Sequence, residues 1–491
     1  MRSPVRLYGF GAVIASGWLT FFMAVPAASA QDMVGPSGDT PGSVPIMPPE
    51  AAEVLEDTEQ ASAPADESSR LDEESFRYQR EWEALNDERR HQEAADLAIT
   101  WYNDAVIQFG EHSAPAAAAL RYQGDSYLSM NNAVLAAKAY NDSIKAAERS
   151  VGVFDSSLVS PLTSLGMVYL EQGDYDASVS ALMRAKDITH RNQGIFNLEQ
   201  SVIVDVLTET YANQGELRQA TREQKFLLGT AAKTYGDANP ELVPALQKWA
   251  KWNARIGRYP DARRNFYRAI DILEETYGPN DLRIVETLNM IARSFYDNTN
   301  THHPREGSVA LRRAVEIYRQ QEFVDQADLL RQQSRLADWY MLAQRRTRGV
   351  RTYSEAIAEA KATGLDEETI DATFGLPRVL GLMRQPLGLT RVQLADLGDD
   401  GPHRVIFEFD LDKAGRARNV RVIEDTLDLI SVVKTLRLRL VNSVFRPRFV
   451  DGQPMPTFGM RIKYDVFPQD NAAQASAPTY SSDRDMPVTE R

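Results

Sequence analysis

Glycine recurs every 42 residues across the middle of the chain, and this spacing constrains the fold more than any other feature of the sequence. One series consists of Gly110, Gly152, Gly194, Gly236 and Gly278. A second series has the same step and consists of Gly173, Gly215 and Gly257. Asn131 stands one period before it, and asparagine is the residue most able to replace glycine where the backbone φ is positive. Two series in register indicate a repeat architecture.

Between the glycines, the apolar residues follow helical spacing. Leu162, Leu165 and Val168 are three residues apart, which places them on one face of a helix. Gly173-Asp174 interrupts the pattern, and Leu182 lies in the stretch that resumes it. Each period is therefore predicted to form two antiparallel helices joined by a tight turn. A single pair leaves its apolar face bare, so successive pairs must stack into a superhelix.

The residues at these positions resemble the tetratricopeptide repeat family, in particular its 42-residue variant found in kinesin light chains. The signature of that family is represented here by Leu165-Gly166, Tyr169, Gly173 and Ala185. Trp249-Ala250 and Ile291-Ala292 depart from its Leu-Gly pair, and Thr301-His302-His303-Pro304 intrudes where a short turn is expected. The resemblance implies an all-α superhelical solenoid, which we expect over residues 76–365.

In tetratricopeptide proteins the first helix of each pair lines the concave face, so the resemblance implies which side chains face a groove. They are Arg121, Asp125, Thr163, Asp205, Glu209, Asn213, Gln247, Lys251, Arg255, Asn289 and Arg293. The middle of this set is acidic, and Lys251, Arg255 and Arg293 make its end basic, which suits an extended peptide of mixed charge. The alternative is that these residues are solvated polar faces of ordinary surface helices.

The period of the sequence changes towards the C-terminus. A connector rich in glycine and proline is expected over residues 366–400. From Arg404, apolar and polar residues alternate, the chain turns at Asp412-Lys413-Ala414-Gly415 and returns as a second strand. A helical stretch follows, and apolar residues alternate again from Phe458 to Val466. The order β-β-α-β predicts a small α+β domain over residues 401–468.

This order, together with the F-x-P segment from Phe445 to Gly452, resembles the C-terminal domain of TonB, the energy transducer of the Gram-negative envelope. In that family the domain binds extended peptide segments of outer-membrane transporters by strand addition to a sheet edge. The segment from His403 to Pro468 holds twelve Lys or Arg against eight acids, whereas the whole chain has a net charge of −14. The resemblance therefore implies a basic binding domain on an acidic protein.

The N-terminus has the features of an export signal. Two arginines precede an apolar run from Leu7 to Val25, and Ala28-Ser29-Ala30 follows it. We expect residues 1–30 to be a signal peptide cleaved after Ala30, which predicts a periplasmic mature chain with no membrane span. A retained signal anchor is the alternative, because the run is close to the ~20 residues that a spanning helix needs.

Two further segments have the composition of disordered chain. Residues 31–75 contain twelve acids, one base and six prolines. Such a segment buries too little apolar surface to offset its ordering entropy, so we expect an acidic spacer. Residues 469–491 have the same character and are expected to be a disordered tail.

The sequence carries no recognisable catalytic or cofactor motif. The absence of cysteine excludes disulfides, cysteine-based metal sites and cysteine nucleophiles. The pair His302-His303 is expected to be a solvated loop, and the acid pairs Glu274-Glu275 and Glu367-Glu368 are expected to be charges on helix surfaces. The acidic balance argues against a nucleic-acid partner. We therefore expect no enzymatic activity, no cofactor and no metal.

Two peptide-binding architectures without a catalytic set predict a non-enzymatic periplasmic adaptor. The solenoid groove is expected to hold a partner peptide, and the TonB-like domain a second envelope partner, such as an outer-membrane protein or peptidoglycan. If the N-terminal segment is retained, the alternative is a membrane-anchored TonB-type energy transducer for outer-membrane transport. A third class, an envelope hydrolase, would require a pocket of converging acids with shifted pKa values.

Overall fold

A computed structural model describes residues 65–297, 304–381, 403–427, 429–466 and 479–480. The predicted signal peptide, most of the spacer and most of the tail lie outside these residues, as does the loop containing His302 and His303. The chain divides into two compact units, residues 1–230 and 231–491. None of the helices in the described ranges is long and apolar enough to cross a membrane.

The first unit is built from consecutive helices that form pairs. The helices are α1 (Ala65–Asp87), α2 (His91–Phe109), α3 (Ala114–Ser129), α4 (Ala133–Val151), α5 (Val159–Gln172), α6 (Tyr175–Gln193), α7 (Ser201–Asn213) and α8 (Leu217–Tyr235). The boundary between the two units falls within α8. Helix α1 begins eleven residues before the expected start of the solenoid at residue 76, so the helical part of the chain extends into the segment expected to be a spacer.

The second unit continues with helices and ends in strands. The helices are α9 (Val243–Arg255), α10 (Tyr259–Tyr277), α11 (Arg283–Asp297), α12 (Pro304–Arg319), α13 (Gln326–Leu342), α14 (Arg346–Ala362), α15 (Glu367–Phe374) and α16 (Ile430–Asn442). The strands are β1 (Arg378–Gly381), β2 (His403–Leu411), β3 (Ala417–Asp425), β4 (Val444–Arg446), β5 (Arg448–Val450), β6 (Gln453–Met455), β7 (Thr457–Val466) and β8 (Thr479–Tyr480).

The two glycine series occupy the two kinds of turn that the repeat requires. Gly173, Gly215 and Gly257 follow the first helix of a pair with φ values of 78°, 83° and 80°, and Asn131 has a φ of 58° at the same place. The glycines of the other series follow the second helices with φ values from 84° to 97°. This confirms the predicted α solenoid of helix pairs, because both turns need a backbone conformation that few residues other than glycine adopt.

The small residue of the Leu-Gly signature allows the two helices of a pair to approach each other. A Cβ atom at Gly166 on α5 would lie 2.5 Å from Cγ of Leu182 on α6. A Cβ atom at Gly124 on α3 would lie 2.6 Å from the Tyr140 ring on α4. Leu182 and Tyr140 are fully buried in the core of the first unit, so each glycine is the site where a large side chain of the second helix packs.

The C-terminal part of the second unit contains a four-stranded sheet of order β3-β2-β7-β8, together with the ribbons β1-β4 and β5-β6. Its elements β2, β3, α16 and β7 follow the predicted order β-β-α-β. Leu436 and Leu440 of α16 are buried in one core with Phe407 and Phe409 of β2, because alternate residues of a strand face the same side.

Two features of this region differ from the sequence expectation. The expected connector contains α15 and β1, and β1 pairs with β4 through Val379 and Phe445. Phe458 is 74% exposed, although the alternation predicts that it lies on the same face of β7 as Ile462 and Tyr464, which are buried. The register of β2 and β7 shifts opposite it, and Gly459 has a φ of 67°, so a bulge reverses the alternation at this end of the strand.

The sheet region and the last helix pair of the second unit share one core. Phe449 of β5 lies 5.4 Å from the Tyr353 ring of α14 and 5.7 Å from the Phe374 ring of α15. Arg346 of α14 donates a 2.9 Å hydrogen bond to the Gly415 carbonyl in the turn between β2 and β3. The ribbons β1-β4 and β5-β6 and the turn between β2 and β3 are therefore packed onto helices α13 to α15, and we name this contact the junction.

Candidate protein-binding site

All the residues expected to face a groove lie on the first helix of a pair, α3, α5, α7, α9 or α11. The structure divides them into two groups. Some have a side chain that is buried or half-buried, and others have an exposed side chain. Only the exposed group offers groups that a partner can reach without breaking the packing of the repeats.

Arg121 and Asp125 belong to a network inside the second helix pair. Arg121 Nη1 lies 2.9 Å from Asp125 Oδ2, and the Tyr140 hydroxyl of α4 donates to Asp125 Oδ1 at 2.6 Å. Burial raises the pKa of Asp125, against the effect of Arg121, and burial raises the pKa of Tyr140 well above its ordinary value. These two expected groove residues therefore hold α3 against α4.

Three further residues of the first unit are at least partly buried. The Thr163 hydroxyl donates to the Val159 carbonyl of its own helix at 2.7 Å. Gln224 of α8 donates to Asp205 Oδ1 at 3.2 Å, so this carboxylate joins α7 to α8. Glu209 is half-buried and Asn213, at the end of α7, is exposed. The expected acidic middle thus presents less free carboxylate than the sequence indicates.

Gln247 and Asn289 connect first helices of neighbouring pairs in the second unit. Gln247 Nε2 donates to the Thr287 hydroxyl of α11 at 2.7 Å. Asn289 and Gln332 of α13 exchange two amide hydrogen bonds of 3.1 and 2.8 Å. Their partners lie 40 and 43 residues along the chain, so a sequence pattern within one helix does not reveal this role.

Lys251, Arg255 and Arg293 are the exposed members of the set in the second unit, and we name them the cationic face. The Lys251 side chain is 58% exposed and its Nζ lies 4.0 Å from Glu286. The Arg293 side chain is 74% exposed and its Nε lies 3.5 Å from Asp297. Arg255 lies over the Trp252 ring, 5.7 Å from its centre. Exposed ion pairs of this kind contribute little, so the cations can exchange their partners for those of a ligand.

The C-terminal sheet provides a second candidate surface at its β7 edge. Strand β8 pairs antiparallel with β7, with Tyr480 opposite Ile462 and Thr479 opposite Lys463. This edge therefore accepts an extended segment through main-chain hydrogen bonds. On the other side of β7, Arg461 Nε lies 3.4 Å from Glu408 of β2. Hydrogen bonds from Arg421 and Arg461 hold the pKa of Glu408 below its ordinary value.

The junction contains a hydrogen-bond network like that of Arg121, Asp125 and Tyr140 in α3 and α4, but its guanidinium comes from a different element. On α13 and α14, the Tyr353 hydroxyl donates to Asp338, fifteen residues earlier, as Tyr140 donates to Asp125. The residue four positions before Asp338 is Ser334, where the earlier pair has Arg121. At the junction the guanidinium comes instead from a strand of the sheet region, β4.

This guanidinium belongs to Arg446, which is 2% exposed. It points towards α13, the first helix of the last pair. Its Nη1 donates to the Ser334 hydroxyl at 2.8 Å and its Nε lies 3.9 Å from Asp338 Oδ1. Burial raises the pKa of Asp338, and Arg446 opposes that effect. The sequence does not reveal this role, because the partners of Arg446 lie more than a hundred residues away in the chain. The end of the first-helix face is thus covered by the C-terminal sheet region.

The remaining polar clusters have structural partners. Glu274 pairs with Arg313 and Glu367 with Lys361, as expected for charges on helix surfaces. No group of three or more histidine, aspartate or glutamate side chains in the described part of the chain lies together as metal ligands would.

These helix pairs with positive-φ turns define the class of the protein, an α solenoid with a fold like that of tetratricopeptide repeats. No protein-family model matches the chain, and no curated protein matches it. Among solved structures it is similar to BtubC (BKLC) from P. vanneervenii, at 16% identity over 46% of this chain and 90% of that chain, with a TM-score of 0.35.

The chain is also similar to two other solved structures. The C-terminal part of a TPR repeat-containing protein from Cytophaga hutchinsonii is 13% identical over 60% of this chain and 98% of that chain, with a TM-score of 0.38. The protein pilF of Pseudomonas aeruginosa is 16% identical over 51% of this chain and 94% of that chain, with a TM-score of 0.32. These likenesses concern the fold alone.

Proposed function

We propose that the protein is a non-enzymatic adaptor that binds other proteins of the cell envelope in the periplasm. The first-helix face of the repeats binds a segment of one partner, and the edge of the C-terminal sheet binds a second partner. The observation that carries this proposal is the cationic face, in which exposed lysine and arginine side chains stand on the first helices α9 and α11 of successive pairs.

The cationic face suits a partner segment that contains carboxylates. Lys251 and Arg293 are one period of 42 residues apart, so they occupy equivalent positions on neighbouring first helices. An extended peptide can place acidic side chains against both of them at once. Arg255, one helical turn after Lys251, adds a planar donor that binds carboxylate in two places.

Strand pairing at the β7 edge supports the second part of the proposal. Two residues of the chain itself already pair there as β8, so a partner strand would displace a short segment and gain the same main-chain bonds. The resemblance of this region to the C-terminal domain of TonB favours the same binding mode. An outer-membrane protein with an extended periplasmic segment is the partner class that this mode would fit.

Charge reversal tests the solenoid part of the proposal. The tagged full-length chain should retain specific proteins from envelope extracts, and the double variant Lys251→Glu with Arg293→Glu should lose the one bound by the repeats. Arg264→Glu is the matched control, because Arg264 is an exposed cation on the second helix α10 and its loss should leave retention unchanged. Equal retention by wild type and double variant would contradict the proposal.

The mass of the mature N-terminus tests the location. A chain that begins at Gln31 and is released from the periplasm supports the adaptor. A chain that keeps residues 1–30 and stays with the inner membrane would instead support the alternative of a TonB-type energy transducer.

A further inference from the structure

A cavity of about 500 Å³ in the second unit lies beside the turn between α13 and α14. Three arginines line the cavity. Arg346 is the first residue of α14, Arg416 lies in the turn before β3, and Arg418 lies in β3. The amides of Gln344 and Asn442 complete its polar wall. None of these residues belongs to the cationic face or to the β7 edge, so the proposed function leaves this cavity unexplained.

The three arginines bring excess positive charge to this cavity. Its lining, among the described residues, includes no acidic side chain. Asp412, beside it, accepts hydrogen bonds from the backbone of Ala414 and Arg416 at 2.9 Å each and from Arg418 Nε at 3.1 Å. One carboxylate against three guanidiniums leaves about two positive charges facing the cavity.

The position of Arg346 shows that these charges affect each other. Arg346 is half-buried, and its guanidinium is held in place by the carbonyl of Gly415. Burial lowers the pKa of Arg346, and the nearby Arg416 lowers it further. Guanidiniums gathered in this way repel one another, so an anion in the cavity would relieve an existing electrostatic cost.

The backbone adds to the same field. The residue before α14, Arg345, provides no side-chain acceptor for the first N–H groups of the helix. The N-terminus of a helix carries a partial positive charge, and arginine is unfavourable there unless an anion is also present. Arg346 at the start of α14 is therefore a cation at the helix end where positive charge is electrostatically unfavourable.

We infer that this cavity binds a phosphate-class oxyanion. A phosphate monoester or inorganic phosphate carries roughly −1.5 to −2 charges at neutral pH, which matches the two uncompensated guanidiniums. Guanidinium groups donate paired hydrogen bonds to phosphate oxygens. A single peptide carboxylate would neutralise only one of them, so the charge balance favours the dianion.

Titration calorimetry of the full-length chain with inorganic phosphate, at constant ionic strength, tests this site. Wild type should bind phosphate more tightly than acetate. The double variant Arg416→Gln with Arg418→Gln should bind phosphate at least about tenfold more weakly, because it loses hydrogen bonds to a charged group. Both residues are exposed, and the pair that Arg418 forms with Asp412 is a surface ion pair that contributes little, so the melting temperature of the variant should stay close to that of wild type.

Arg351→Gln is the matched control, since Arg351 is an exposed arginine on α14 that pairs with Glu355 away from the cavity. It should leave phosphate affinity unchanged. Flotation with phosphatidylcholine vesicles, with and without phosphatidic acid, distinguishes a lipid phosphate from a soluble one. Binding to the phosphatidic acid vesicles that the double variant loses indicates a lipid phosphate. Calorimetric binding of phosphate without vesicle binding indicates a soluble phosphate. Equal affinity of wild type for phosphate and acetate, or of the double variant and wild type for phosphate, would overturn the inference.

Discussion

At the scale of single residues, the turn after each first helix depends on one backbone conformation. Gly215 has a φ of 83°, and Ala at this position should destabilise the first unit by roughly 1–2 kcal/mol, because an L side chain in this region clashes with the backbone. Gly229→Ala is the control, since Gly229 lies inside α8 and no atom beyond the adjacent backbone of this helix comes within 4 Å of the place its methyl group would take. This control should stabilise by about 0.5–1 kcal/mol. Chemical denaturation measures both, and equal effects would contradict the turn assignment.

The same turns show what sequence reasoning can find. Asn131 was predictable, because asparagine tolerates positive φ and stands in register with the glycines. Arg89 and Gln344 occupy the equivalent turns of the first and last pairs with φ values of 59° and 60°. Neither arginine nor glutamine prefers a positive φ, so the packing of the flanking helices imposes it. The residue types at these two positions therefore do not predict the turns.

Tyr464 of β7 should make the stability of the second unit depend on alkaline pH. Burial raises the pKa of this residue to about 12, while the unfolded value is near 10. The folded chain therefore holds a proton that the unfolded chain loses, and stability should fall between pH 10 and 12 by ~1.4 kcal/mol per pH unit from this group.

Tyr464→Phe keeps the ring packed against Phe407 and removes the titrating hydroxyl. Urea unfolding of both forms at several pH values should show a shallower decline for the variant. Parallel curves for wild type and variant across this range would show that Tyr464 does not titrate as its burial requires.

At the scale of elements, the junction joins the last helix pair to the sheet region through a buried charge pair. Arg446→Met removes the buried guanidinium beside Asp338, the cation with the largest effect on this carboxylate, and should destabilise the second unit by roughly 3 kcal/mol. Adding Asp338→Asn to this variant should cost much less than Asp338→Asn alone, because the unpaired charge is removed. A double-mutant cycle by chemical denaturation measures the coupling, and additive effects would show that the two residues do not interact.

The elements themselves were largely predictable, whereas their packing was not. Alternating apolar residues and helical spacing located β2, β3, α16 and β7. Strand β1 was missed because it is four residues long and pairs with β4, more than sixty residues later. The bulge at Gly459 was missed because alternation continues unchanged in the sequence through Phe458.

At the scale of the whole molecule, the candidate site could be predicted only in part. The repeat placed every expected groove residue on a first helix. It could not separate half-buried residues such as Asp125 and Gln247 from exposed ones such as Lys251. The half-buried side chains are held by partners about one period away or on the opposite helix, which a pattern within one helix does not show. The proposed adaptor therefore depends on fewer side chains than the sequence indicates, and these are chiefly cations.

Site-specific photo-crosslinking in growing cells tests the adaptor claim most directly. A photoreactive amino acid replaces Lys251 or Arg293 on the cationic face, or Arg264 on the second helix α10 as the control. We predict that both positions of the cationic face crosslink to the same envelope protein and that the position of Arg264 does not. Crosslinks that are absent from the cationic face, or equally strong at Arg264, would contradict the adaptor claim.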